Sequence, residues 1–216
     1  MTNFQKRILT SLIALPLAIF FLFKGGYFLL FFLLFIFFAG THELFTVFKK
    51  IKNKLFLLLL LSISLLSIYY LGTDSEKSLY LLYFAIGIVI SSDIGGYVFG
   101  KIFKWKKLTK ISPKKTISGV FGSYFCSFIF LISFNELSTI FNYNKFLVSE
   151  LTLIPEILLT IIFSTVAQVG DLIISYFKRL EKIKDTGKIL PGHGGIFDRI
   201  DGLMFVVILA SIFYIS

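Results

Sequence analysis

The sequence predicts an all-α protein: a polytopic transmembrane helical bundle of about seven spans, with its N-terminus in the cytoplasm. Three observations support this fold class. Of the 216 residues, 56% are hydrophobic and the mean hydropathy is +0.88, which is too apolar for an ordinary soluble domain. Apolar runs of membrane-spanning length recur along the whole chain. The Lys and Arg residues, which give a net charge of +10, are concentrated between those runs.

Seven apolar segments account for most of the chain. Several are shorter than the roughly 20 residues that cross a bilayer upright. The first follows Lys6 and Arg7, as the apolar part of a signal peptide would, but no small-residue cleavage site comes after it. We therefore interpret it as an uncleaved first span. The segments cover approximately residues 8–23, 27–47, 55–72, 79–99, 118–134, 157–175 and 202–215.

The distribution of basic residues predicts the orientation. If the N-terminus lies inside, all but three of the 22 Lys and Arg residues fall on the cytoplasmic side. The exceptions are Lys24, Lys77 and Lys145. This bias follows the positive-inside rule and suits anionic lipid headgroups better than nucleic acid, which we do not expect as a partner. The prediction is an integral protein of the cytoplasmic (inner) membrane, in contact with membrane lipids.

The first three segments, which we group as N-terminal transmembrane helices over residues 1–90, carry little polar chemistry. His42 and Glu43, near the end of the second segment, are interpreted as a polar pair at the membrane interface. Further along, the single cysteine, Cys126, lies in an apolar run and excludes a disulfide within one chain.

The fourth segment ends in a polar pattern, and a lysine-rich loop follows it. Asp93 lies within an apolar run, where an ionised carboxylate needs a partner or a water-filled cavity. In the loop, Lys114 and Lys115 precede Thr116 at the predicted start of the fifth helix, an arrangement suited to holding polyphosphate. The lysines between positions 101 and 110 are explained by the positive-inside rule alone.

The stretch from Gln168 to Asp201 carries most of the remaining polar chemistry. On a helix, Asp171, Ser175 and Lys178 share one face because they stand at i, i+4 and i+7. Carboxylates suit Mg²⁺, and Lys and Arg suit phosphate. A glycine-rich turn follows, whose N–H groups can cradle phosphate. The stretch therefore predicts a metal-assisted phosphate site at a membrane surface, on the same side as the lysine-rich loop.

These residues resemble three sequence blocks of the phosphatidate cytidylyltransferase family, also called CDP-diacylglycerol synthases. The pattern DxxGYxxG matches from Asp93 through Tyr97 to Gly100. SPKKTxxG matches at 112–119, with Ser118 where family members usually carry Glu. GDLxxSxxKR and then KDxGxxxPGHGGxxDRxD match within 170–201. The fixed positions are many and chemically varied, which argues against chance agreement.

The resemblance implies transfer of CMP from CTP to phosphatidate, giving CDP-diacylglycerol and pyrophosphate in phospholipid biosynthesis, with Mg²⁺ as cofactor. It implies metal ligands at Asp171 and Asp198, and catalytic roles for these two together with Lys178, Arg179 and His193. The implied substrate-binding positions are Asp93, Tyr97, Ser112, Lys114, Lys115, Thr116, Ser175, Asp185, Gly194, Gly195, Arg199 and Asp201. Residues 91–216 are then the catalytic transmembrane region, with its phosphate- and metal-binding loops on the cytoplasmic side. The number of metal ions stays open, as does a homodimer.

Two other functions stay open at this stage. One is a different CTP-dependent lipid enzyme, such as a polyprenol kinase or a CDP-archaeol-type synthase. The other is a non-enzymatic transporter of anionic lipid, which would not need paired carboxylates. The sequence contains no Walker A loop and no HExxH, CxxC or GxSxG pattern, which argues against the enzyme classes that depend on those motifs.

Overall fold

The computed structural model describes residues 3–140, 156–187, 189–192 and 194–215. The described part is all-helical, with two isolated bridges and no strand, so the all-α part of the predicted fold class is confirmed. Each predicted apolar segment falls within one helix. The seven helices are α1 (Asn3–Lys24), α2 (Gly26–Val47), α3 (Ile51–Thr73), α4 (Glu76–Phe103), α5 (Ile117–Ile140), α6 (Glu156–Leu180) and α7 (Phe197–Ile215).

Five of these helices, α2 to α6, are long and apolar enough to cross a membrane. The apolar part of α1 is shorter, Leu12–Lys24, and α7 carries three charged residues near its start. Large apolar side chains such as Phe31 and Leu66, each 68% exposed, point away from the bundle, as expected for contact with lipid. The chain is therefore an integral membrane protein, while the count of seven spans and the side of the N-terminus stay predictions.

Three connections meet at one end of the bundle, which we call the loop end: residues 48–50, 104–116 and 181–196. Glu181 ties the first of these to the last. Its carboxylate accepts main-chain hydrogen bonds of 3.1 Å from Lys49 and from Lys50, and one of 2.7 Å from Asn53 Nδ2. Desolvation acts to raise the pKa of Glu181, but the bonds from Lys49, Asn53 and Lys50 outweigh it and lower the pKa below its ordinary value.

The opposite end of the bundle is held by a different set of polar contacts. The Tyr214 hydroxyl, near the end of α7, lies 2.8 Å from Ser75 Oγ at the start of α4. Asn135 Nδ2 of α5 donates to Glu156 at the start of α6 at 2.6 Å. Helices α4 to α7 therefore alternate in direction, and both polar loops that carry sequence motifs lie at the loop end.

Helix α4 is central, because it packs against α3, α5, α6 and α7. Its closest neighbour is α5, and small residues make that approach possible. Gly95 of α4 lies against the main chain of Gly122 in α5, so a Cβ at position 95 would overlap the Gly122 carbonyl. This close packing brings the end of α4, with Asp93, next to the start of α5.

We expect Gly95→Ala to lower the thermal unfolding temperature of the detergent-solubilised protein by several degrees. The added methyl group meets main-chain atoms that cannot rotate away, and overpacking of this kind costs about 1–3 kcal/mol. Gly100→Ala on the same helix is the matched control. Its methyl carbon would lie 3.0 Å from the Thr116 side chain, which can adjust. Equal unfolding temperatures for Gly95→Ala and the unsubstituted protein would contradict the prediction.

Candidate active site

The α4–α5 loop is closed by a short antiparallel pairing that places its lysines. Leu108 N–H donates to the Lys115 carbonyl at 2.8 Å, and Ile117 N–H donates to Lys106 at 3.0 Å. Thr116 then caps α5, since its Oγ1 accepts the Gly119 N–H at 3.1 Å. The motif lysines therefore stand at the N-terminus of α5, where the helix dipole favours an anion.

The α6–α7 loop is closed in a similar way. Leu190 and Gly194 exchange main-chain hydrogen bonds of 3.0 and 3.2 Å around the turn that carries the PGHG sequence. Gly192 and Gly194 have φ angles of 80° and 91°, a conformation that glycine adopts most readily. His193 lies outside the described residues, so its catalytic role stays a prediction.

A polar cavity of about 480 Å³ lies between the α4–α5 loop, the first turns of α5 and parts of α4, α6 and α7. It gathers residues from all the motif blocks that the sequence singled out. The predicted site residues on its lining are Asp93, Tyr97, Ser112, Lys114, Lys115, Thr116, Asp171, Asp198, Arg199 and Asp201. Ser92, Ser123 and Gln168 add further polar groups, which were not among the predicted site residues.

Asp171 lies on the cavity wall in an ion pair with Lys115. The distance from Lys115 Nζ to Asp171 Oδ2 is 2.6 Å, and the same ammonium donates to the Gln168 carbonyl at 3.1 Å. Ser175 Oγ, one turn further along α6, donates to Asp171 Oδ1 at 3.3 Å. The predicted stripe on α6 is therefore present, with Ser175 supporting the carboxylate from outside the cavity lining.

Asp198, in the first turn of α7, is the most heavily bonded carboxylate of the site. Its Oδ1 accepts from Lys178 Nζ at 2.7 Å. Its Oδ2 accepts from the main-chain N–H groups of Thr186 and Gly195 at 2.8 and 3.0 Å, and from Thr186 Oγ1 at 3.1 Å. Lys178 and Gly195 thus act on the cavity through Asp198, because neither is part of the cavity lining itself.

The carboxyl groups of Asp171 and Asp201 lie within hydrogen-bonding distance of each other, and Asp93 is close enough to interact with both electrostatically. Two facing carboxyl groups need a proton or a cation between them. Hard oxygen donors of this kind suit Mg²⁺, so the donor set fits the predicted cofactor. Among the described residues, however, no group of three or more His, Cys, Asp or Glu side chains has the arrangement of a metal cluster.

Three further predicted site residues, Arg179, Asp185 and Gly194, also lie apart from the cavity lining. Arg179 Nε donates to the Ile111 carbonyl at 3.2 Å, and its Nη1 donates to the Ile183 carbonyl at 3.0 Å. It thereby ties the two loops together. Asp185 is exposed, and Gly194 lies beside it. Ser118, at the position where the resemblance leads one to expect Glu, is buried, with its Oγ 3.0 Å from Thr116 Oγ1.

Glu43 is a site feature that the sequence interpretation placed wrongly. It was expected at the membrane interface with His42, but its side chain is only 1% exposed and bonds to the loop that leads into α7. A lone Glu at the end of an apolar run is a weak signal, because membrane helices often end in charged residues. Thr186, which bonds Asp198, was also missed because it occupies a variable position of the pattern.

Comparison with known proteins gives one family. The model of the cytidylyltransferase family matches residues 52–216, which is more than half of the chain. A phosphatidate cytidylyltransferase of Staphylococcus haemolyticus is 42% identical over 152 residues, covering 68% of this chain and 54% of that protein. One from Staphylococcus aureus is 42% identical over 161 residues, covering 70% and 58%. The chain thus spans just over half the length of these curated relatives.

Lys115→Met is expected to destabilise the protein, because it leaves Asp171 facing Asp201 without its cation. The pair is about a quarter exposed, so we expect a loss of about 1–3 kcal/mol, below the range for fully buried pairs. Thermal unfolding in detergent measures this as a fall of several degrees. Lys114→Met is the control, since no ion pair between Lys114 and a carboxylate occurs in the described residues. An equal shift for both variants would refute the assignment of Lys115 as partner of Asp171.

Proposed function

Because this chain belongs to the cytidylyltransferase family, we propose that it transfers the cytidylyl group of CTP to phosphatidate and releases pyrophosphate. The observation that carries the proposal is the polar cavity at the loop end. It brings together groups from α4, the α4–α5 loop, α6 and α7 that suit the two anionic substrates. The relatives named phosphatidate cytidylyltransferase support the choice of lipid.

The reaction joins two anions, so the site must offset their repulsion. A phosphate oxygen of phosphatidate attacks the α-phosphorus of CTP, and the bond from that phosphorus to the oxygen bridging to the β-phosphate breaks. Lys114, Lys115 and Arg199 line the cavity and supply positive charge for the phosphates. The N-terminus of α5, with Thr116, adds the positive end of a helix dipole.

The attacking group is already ionised near neutral pH, because the second pKa of a phosphate monoester is about 6. A strong general base is therefore not required, which agrees with a cavity rich in Lys and Asp. We assign Lys178 and Arg179 to positioning: Lys178 holds Asp198, and Arg179 holds the two loops together. His193 is assigned to contact a substrate phosphate from the glycine-rich turn.

We assign Asp171 and Asp198 as the ligands of Mg²⁺, with Asp201 beside Asp171. The cofactor, when bound, would neutralise charge on the leaving pyrophosphate. The chain's own contribution is to keep both carboxylates ionised and aimed at the cavity. Lys115 does this for Asp171, and Lys178 with the main-chain N–H donors does it for Asp198.

The proposed orientation puts the loop end in the cytoplasm, where CTP is present, in a seven-span protein of the inner membrane. The positive-inside distribution of Lys and Arg supports it. Phosphatidate would enter sideways from the inner leaflet, between helices. A homodimer stays a prediction.

The activity test uses the purified full chain in mixed micelles with CTP, phosphatidate and Mg²⁺, and follows pyrophosphate. Asp171→Asn and Asp198→Asn should each lower the rate by about a hundredfold or more, the scale expected for lost electrostatic stabilisation. Asp74→Asn, at the opposite end of the bundle, is the control and should keep its rate. A near-normal rate for either site variant would refute its role as a metal ligand. Turnover of a polyprenol in place of phosphatidate would favour the kinase alternative.

The orientation is tested with single cysteines at three exposed positions, Lys107, Lys184 and Glu76, in a Cys126→Ser background. A membrane-impermeant thiol reagent on intact cells should label only the Glu76→Cys variant, since position 76 lies at the end opposite the loops. Permeabilised cells provide the control, in which all three variants should react. Labelling of the Lys107→Cys or Lys184→Cys variant in intact cells would place the cavity on the wrong side for CTP.

A further inference from the structure

Glu43 is a buried carboxylate that lies far from the sequence motifs and yet contacts the loop that carries them. It lies near the end of α2, and 1% of its surface is exposed. Its Oε1 and Oε2 lie 2.9 and 2.8 Å from the main-chain nitrogen of Ile196, and Oε2 lies 3.4 Å from that of Phe197. Phe197 is the first residue of α7. Glu43 therefore acts as the N-terminal cap of α7 from another helix.

A carboxylate is well suited to this position. The first N–H groups of a helix have no partner within the helix, and the helix dipole makes that end positive. Within the described residues, Glu43 bonds to main-chain N–H groups and to the Thr186 hydroxyl, and no ion pair with Lys or Arg occurs. The α7 N-terminus thus provides the compensation that a buried charge requires.

The same carboxylate is linked to the cavity through Thr186. The Thr186 hydroxyl lies 3.5 Å from Glu43 Oε2 and 3.1 Å from Asp198 Oδ2. Gly195, whose N–H also bonds Asp198, packs directly on Glu43, since a Cβ at position 195 would lie 2.6 Å from Glu43 Oε2. The Thr186 N–H, the Thr186 hydroxyl and the Gly195 N–H all bond Asp198, and both Thr186 and Gly195 contact Glu43. Glu43 can therefore act on the position of Asp198 through these two residues.

We propose that Glu43 is a positioning residue of the active site, which holds the start of α7 so that Asp198 and Arg199 face the cavity. The part of this inference that concerns catalysis rests on the proposed function. A glutamine cannot replace Glu43, because it offers one acceptor oxygen and turns an amide NH₂ toward main-chain N–H groups. An aspartate keeps the charge but is one methylene shorter, so it reaches fewer of the donors.

Two measurements on the purified full chain test the proposal. The first gives kcat and the KM values for CTP and phosphatidate. The second is the rate of thiol labelling of an Ile196→Cys variant in a Cys126→Ser background. Ile196 is only 7% exposed, so labelling there requires the end of the α6–α7 loop to open. The variants are Glu43→Gln and Glu43→Asp, with Glu181→Gln as the matched control. Glu181 also ties the α2–α3 connection to the α6 end, but it does not touch Asp198.

We expect Glu43→Gln to lower kcat at least tenfold while KM for phosphatidate changes less than threefold, and to raise the labelling rate at least threefold. For Glu43→Asp, both kcat and the labelling rate should lie between those of Glu43→Gln and those of the unsubstituted protein. For Glu181→Gln, kcat and the labelling rate should each stay within twofold of the values for the unsubstituted protein. An unchanged kcat and labelling rate for Glu43→Gln would overturn the proposal. Equal losses in Glu43→Gln and Glu181→Gln would also overturn it, because they would indicate general destabilisation.

Thr186→Val provides a second route if Glu43→Gln fails to fold, since it keeps the main-chain hydrogen bonds from the start of α7 to Glu43 and removes the hydroxyl that lies between Glu43 and Asp198. We expect a smaller fall in kcat, with the labelling rate within twofold of the unsubstituted protein, and an unchanged kcat would overturn the positioning role. If the unsubstituted protein does not turn over CTP with phosphatidate, the proposed function fails on its own. The labelling rates then still decide whether Glu43 holds the loop.

Discussion

The loop end of this protein depends on one constraint: an ionised carboxylate among membrane helices needs partners close by. Asp171 has Lys115, Asp198 has Lys178 and three N–H or O–H donors, and Glu43 has the N-terminus of α7. Lys115, Lys178 and the start of α7 each come from another part of the chain than the carboxylate they bond. The carboxylates therefore connect α2, α6, α7 and the α4–α5 loop. The cavity lies beside these connections, with Lys115, Asp171 and Asp198 on its lining.

Most of the fold could be predicted from sequence because a membrane restricts the choice of structure so strongly. Apolar length alone located every helix to within several residues, since a lipid-exposed backbone must satisfy its own hydrogen bonds. The exact helix ends could not be placed so well, and α4 is one example. Sequence ended that apolar segment near residue 99, whereas the helix runs on to Phe103, through Gly100 and Lys101. Charged residues end a hydropathy signal without ending a helix.

The sequence predicted many of the residues of the candidate site, but not the hydrogen bonds that connect them. The motifs named Asp171, Lys115 and Asp201, and the structure brings them together. Sequence could not show that Arg179 bonds two main-chain carbonyls, because an arginine in a motif looks the same whether it binds a ligand or a loop. Glu43 could not be assigned either, since its partners are main-chain groups 153 residues away and leave no mark in side-chain patterns.

That separation has a consequence for biogenesis. If the protein is inserted into the membrane as it is synthesised, α2 leaves the ribosome long before α7, so Glu43 must wait for the groups that neutralise it. During that interval the Glu43 carboxylate lies at the end of an apolar helix, where water and lipid headgroups are its hydrogen-bond partners. The final position of α2 is then fixed only when α7 is inserted and its first N–H groups bond Glu43. Truncation before residue 196 should leave a nascent chain that quality-control proteases recognise.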